Sequence, residues 1–171
     1  MARISSSAEG TAIITAFDHK EPLLSHISAL EPGVSKANDD GTGNNPMITL
    51  EWTIDEAPFA GRRVQFHRCM IGGTTKAGKP MPLTQLLDVI DGCKIPWTST
   101  KGGTLVARPF KKVKADDGSI IFVDPDTNTR IATIEYDTDD FLNKQAKVRY
   151  TIRKQDGSDR AFNEVQAVYP V

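Results

Sequence analysis

The residue types best able to do chemistry gather in the middle of the chain. Gly73-Thr74-Thr75-Lys76-Ala77-Gly78-Lys79-Pro80 matches the G-x-x-x-x-G-K pattern of a phosphate-cradling loop. That loop needs Ser or Thr after the second lysine to hold magnesium, and Pro80 stands there instead. The stretch is therefore read as a loop whose Lys76 and Lys79 meet phosphate without transferring it. His67, Cys69 and Cys93 offer three zinc ligands, but no C-x-x-C pair and no fourth ligand accompany them. The two thiols are read as reduced and cytosolic, because MARISSSAEG lacks the apolar stretch of a secretory leader. Asp137, Asp139 and Asp140 offer carboxylates to a nuclease's metal, or else ordinary caps for a helical start at Phe141–Lys144. The three histidines are scattered and no G-x-S-x-G occurs. The expectation is a protein with no catalytic residues, no metal and no cofactor, and not an enzyme.

Binding chemistry is better represented. Cations interleave with aromatic rings at Arg62, Arg63, Phe66, His67 and Arg68, then at Trp97 and Lys101. The pattern continues at Arg108, Phe110, Lys111, Lys112 and Lys114, and again at Arg149, Tyr150, Arg153 and Lys154. Proteins that hold single strands use cations for phosphates and ring faces for bases. The expected contacts are Arg62, Arg63, His67, Arg68, Lys76, Lys79, Lys101, Arg108, Lys111, Lys112, Lys114, Arg149 and Arg153. Trp97 and Phe110 are the candidate stackers, with Trp97 read either as an exposed platform or as a plug over the end of a barrel. Trp52, Phe66, Phe122 and Tyr150 are expected in the core.

Charge is distributed unevenly. The chain has 171 residues and a net charge of −1. Residues 1–60 carry 3 cations and 9 anions, residues 61–114 carry 11 and 2, and residues 115–171 carry 7 and 11. The three parts are thus −6, +9 and −4. A concentrated positive field suits an anionic partner. The alternative is that the acidic flanks fold onto the basic segment and neutralise it. A composition 39% apolar with 12 aromatic residues excludes collagen, a disulfide scaffold and a mostly disordered chain. No apolar run is long enough to span a bilayer, so no membrane association is expected.

The elements that must position these residues are mainly strands. Met47–Ile54 alternates cleanly, with Ile48, Leu50, Trp52 and Ile54 on one face. Leu24–Val34 reads as a strand with Pro32-Gly33 as the place for a break or bulge. In Arg62–Met70, Val64, Phe66 and Met70 share one face, and Arg63, Gln65, His67 and Cys69 the other. Leu83–Ile90 reads as a helix ended by a Gly92 cap, with Leu83, Leu86, Leu87 and Ile90 as its apolar stripe. Further strands are expected at 105–114, 119–123, 130–136, 146–154 and 162–169, with a hairpin at Asp117-Gly118. In 146–154, Lys147, Arg149, Thr151 and Arg153 face away from Ala146, Val148, Tyr150 and Ile152. The expected fold is one domain over 1–171: an OB-fold-like, five-stranded Greek-key barrel with one central helix and extra hairpin strands. Residues 1–22 would be an N-terminal extension and 100–136 an inserted or extended hairpin.

NNPMITLEWTI (44–54), FAGRRV (59–64), Leu142-Asn143-Lys144 to Val148, and Asn163-Glu164-Val165 to Tyr169-Pro170 follow one another in order. In these motifs, across residues 24–171, the chain resembles compact single-stranded DNA-binding proteins encoded by bacteriophages. The resemblance implies an OB-fold, sequence-independent binding of single-stranded DNA, and a place in phage DNA replication or recombination in the host cytoplasm. Phage or host replication and recombination proteins are the partners it implies, and self-association is compatible with it. The runner-up is a phage module that binds a host protein through an acidic surface, motivated by residues 1–60 and 137–140. The chain departs from the family in its longer 100–136 stretch and in ending Ala-Val-Tyr-Pro-Val, without an acidic tail.

Overall fold

A computed structural model describes residues 16–37, 43–79, 81–99, 111–116, 118, 120–123, 134–157 and 160–171. Strict alternation shapes β2 (Pro46–Ile54): Ile48, Leu50, Trp52 and Ile54 all point inward and are buried. Each such aliphatic side chain contributes about 1.5–3 kcal/mol when fully buried. Antiparallel to β2 run β1 (Leu23–Val34) on one side and β3 (Arg63–Met70) on the other. Strand β8 (Gln145–Lys154) pairs with the far edge of β1, and β9 (Ala161–Tyr169) with β8. The result is one five-stranded antiparallel sheet in the order β3-β2-β1-β8-β9. Its two edge strands, β3 and β9, curl to within 8 Å of each other between Cα atoms, without joining in a ladder.

Helix α1 (Thr84–Gly92) lies between β3 and β8 in the chain and packs against β9, β3 and β8. Leu86, Leu87, Val89 and Ile90 carry its buried face. Its end differs from the expected glycine cap. Cys93 is the cap residue, Lys94 takes the left-handed conformation at φ 54°, and Ile95 N–H reaches back to the Ile90 carbonyl at 3.0 Å. That is a Schellman ending with lysine where glycine is usual. Gly92 serves another purpose: a Cβ there would sit 2.5 Å from Val168 Cγ1 on β9. Its bare backbone is what lets helix and edge strand approach.

Two short ribbons complete the described structure. β4 (Thr98–Ser99) pairs with β7 (Ile134–Glu135), and β5 (Lys111–Lys114) with β6 (Ile120–Val123). The expected turn between β5 and β6 is present, with Gly118 at φ 84°. The expected helical start at Phe141–Lys144 is instead a 3-10 turn at Thr138–Asp140, which Asp137 caps by accepting from Asp139 N–H at 2.9 Å. Beyond it, Asn143 and Lys144 bond to Ile27 and so extend the pairing of β1. No helix among the described residues is long and apolar enough to cross a membrane.

Bulges in β1 and β3 depart from the simple alternation, and a third register shift, at Gln166, falls in the pairing of β8 with β9. In β1 the strand runs unbroken through Pro32-Gly33, and the bulge falls at Ser28. In β3 Gln65 and Phe66 together face Glu51, so one extra residue is accommodated there. Side chains beyond that point change face. His67 and Cys69 turn into the core, and Phe66 turns out, 66% exposed. The expected core position of Phe66 is thereby corrected.

Candidate nucleic-acid interface

A cleft of about 830 Å³ opens between the two edges of the sheet. Residues 61–66 of the β3 side form one wall, and Gln155, Arg160, Phe162 and Asn163 of the β8–β9 side form the other. Phe17, next in the chain to the cleft-lining Ala16, links the two walls. Its N–H donates to Asn163 Oδ1 at 3.0 Å, and its carbonyl accepts from Asn163 Nδ2 at 2.8 Å. Its ring stacks on Phe59, meets Tyr150 edge-on, and carries the Arg62 guanidinium 4.8 Å above its centre. Phe66 and Phe162 are exposed rings, 66% and 42% accessible, one on each wall. The Arg68 guanidinium lies 5.8 Å from the centre of the Phe66 ring.

The expected contact residues divide. Arg62 and Arg63 line the cleft, with Arg68 beside them. Among the described residues no carboxylate is within ion-pair distance of Arg63 or Arg68, although Arg63 stands near enough to Glu51 to help lower its pKa. Lys76 and Lys79 are exposed on the loop after β3, outside the cleft. Arg149 is half-buried, with its guanidinium over the Tyr169 ring and bonded to the Tyr169 hydroxyl. Arg153 is exposed and pairs with Glu164 at 3.5 Å. Lys114 is exposed on β5. Lys101, Arg108 and Phe110 lie outside the described residues, as do the side chains of Lys111, Lys112 and Phe122.

Two candidates are corrected. Trp97 is completely buried, so it is a core residue and offers no stacking face. His67 is buried too and is spent inside the core. Trp52 Nε1–H donates to His67 Nδ1 at 3.0 Å, which leaves the neutral ring's proton on Nε2, 3.8 Å from Cys69 Sγ. Burial lowers the His67 pKa to about 4 and raises both thiols to about 12. Neutral thiols are poor metal ligands, and no cluster able to hold a metal occurs among the described residues.

The N–H groups of the glycine-rich loop are likewise engaged, by the loop itself and by Asn45. Thr74 N–H donates to Asn45 Oδ1, Thr75 N–H to the Lys79 carbonyl, Gly78 N–H to the Thr75 carbonyl and Lys79 N–H to Thr75 Oγ1. A phosphate cradle needs such N–H groups free. Gly73, at φ 90°, is required because a Cβ there would strike Asn45 Oδ1 at 2.2 Å.

Sequence reasoning missed Phe66, Phe162, Arg160 and Gln65. For Phe162 a signal existed: it alternates with Glu164 on the outward face of β9. For Phe66 none did, since the bulge that turns it outward leaves no mark in the sequence. Compared with protein-family models, curated proteins and solved structures, the chain matches none of them.

Proposed function

We propose that this chain binds single-stranded nucleic acid, and single-stranded DNA in particular, in the cleft between β3 and β9. The observation that carries the reading is the pair of exposed rings, Phe66 and Phe162, facing a cleft edged by Arg62, Arg63 and Arg160. Rings on opposite walls suit successive stacked bases, and arginines beside them suit the intervening phosphates. Phe66 adds a second argument. It holds φ 66°, a conformation that costs a side-chain-bearing residue about 1–2 kcal/mol. A large apolar ring that is both strained and exposed gains nothing for the fold.

We further read the sheet as an OB-fold barrel left open between β3 and β9. The order β3-β2-β1-β8-β9 and a helix between the third and fourth strands of the sheet support it. In that fold the face of the second and third strands, with the loop joining the last two, takes oligonucleotides. Here those elements carry Phe66, Arg68 and Arg160. The resemblance to phage single-strand binders points the same way and adds a role in replication or recombination. The acidic-surface alternative has less support, because Glu51, Asp55 and Glu56 of residues 1–60 and Asp137 of 137–140 engage partners within the chain.

Fluorescence anisotropy with a labelled mixed-sequence DNA strand tests the reading. Micromolar or tighter binding is expected at low salt. Phe66→Gly should leave the melting temperature unchanged or higher, since glycine accepts the positive φ, while binding weakens by about 1–3 kcal/mol. No binding at micromolar concentrations, or full binding by Phe66→Gly, overturns it.

A further inference from the structure

A polar chain on the outer face of the sheet plays no part in stacking or phosphate contact. Glu51 sits midway along β2, and the bulge of each neighbouring strand falls opposite it, Ser28 from β1 and Gln65-Phe66 from β3. Thr53 Oγ1 donates to Ser28 Oγ at 2.8 Å, and Ser28 Oγ donates to Glu51 Oε1 at 2.7 Å. Gln65 Nε2 donates to Glu51 Oε2 at 3.0 Å. The bonds from Ser28 and Gln65 hold the Glu51 carboxyl below its ordinary value against the opposing effect of burial, and the charge of Arg63 adds a lesser push in the same direction as the bonds.

An ionised carboxylate has no proton to give, so Gln65 must turn its amide nitrogen toward Glu51. Gln65 is left with its second Nε2–H and with Oε1, the end of the amide that Glu51 does not engage and to which no described group donates. Gln65 lines the cleft next to the exposed Phe66 ring.

We propose that Gln65, oriented by Glu51, reads the exocyclic group of a base stacked on Phe66 and favours amino-bearing bases over their oxo counterparts. The inference rests on the function proposed above. Cytosine offers Oε1 a 4-amino proton where uracil presents a 4-oxo oxygen. Two acceptors brought together lose water and gain no bond. Thymine, with the same oxo group, belongs with uracil. One neutral hydrogen bond sets the size of the preference at about two- to tenfold per contacted base.

The experiment titrates the full chain with oligo-dC and oligo-dU of equal length at one salt concentration and neutral pH. Oligo-dC is expected to bind about two- to tenfold more tightly. Gln65→Leu removes the acceptor, and Glu51→Gln lets the Gln65 amide turn either way, so both should bring the ratio close to one while binding persists. Both positions are partly or fully exposed, and unchanged melting curves would verify the folds. Equal affinity of the native chain for the two oligomers overturns the inference alone. A ratio that survives both substitutions also overturns it, because the preference then arises elsewhere. Failure to bind either oligomer overturns the proposed function, and this inference with it.

Discussion

His67 shows how a residue type chosen for one chemistry serves another. Its neighbours Arg63 and Arg68 suggested a contact to phosphate, yet its ring is buried as the acceptor for Trp52 Nε1–H. The arrangement needs a neutral imidazole, and its pKa is about 4 in the folded chain against 6.5 for the free side chain. The unfolded chain therefore takes up the proton first as pH falls. Stability contributed by neutral His67 is complete above the unfolded value and declines as pH drops from 6.5 toward 4. The loss between pH 7 and pH 5 should be on the order of 2 kcal/mol. Urea unfolding at the two pH values measures it. His67→Gln, which keeps an acceptor for Trp52 but does not titrate, should remove most of that difference. An equal difference in both chains would place the acid sensitivity on other groups.

At the scale of elements, strong periodicity was legible and its interruptions were not. The alternation of β2 was read correctly along its inward face, and α1 and β8 begin and end within two residues of where their patterns do. The β3 side chains were placed on the wrong faces after Gln65, because one inserted residue inverts everything that follows. The same inversion hid the candidate site, whose leading ring is the residue turned outward. Glycine was misread for a related reason. Gly92 looked like a helix cap from its neighbours in sequence, whereas its role depends on Val168, which lies 76 residues away. Gly92→Ala puts a methyl group 2.5 Å from a β-branched side chain that has no flexible end to move aside. The α1–β9 contact must then open, at a cost of about 1–3 kcal/mol. A fall in denaturation midpoint with an unchanged slope should record it, and an unchanged midpoint would mean that Val168 gives way freely.

For the whole molecule, net charge matters less than which charges are already answered. The sequence left open whether the acidic flanks neutralise the basic middle. In the fold, Glu56 pairs with Lys147 and Glu164 with Arg153, both cations of the last third. Arg63 and Arg68 of the middle third have no such partner among the described residues. An unpaired cation can release counterions by meeting phosphate, while a paired one must first break its own contact. Each phosphate met on a single strand contributes about 0.7 to the slope of log affinity against log salt. Replacing Arg63 and Arg68 together by alanine should make that slope shallower by about 1.4. Replacing Lys147 and Arg153 removes the same formal charge and should barely change it. Anisotropy titrations at four or more salt concentrations would separate the two pairs. Equal changes in slope would mean that the strand responds to total charge, and that the cleft between β3 and β9 has no special claim on it.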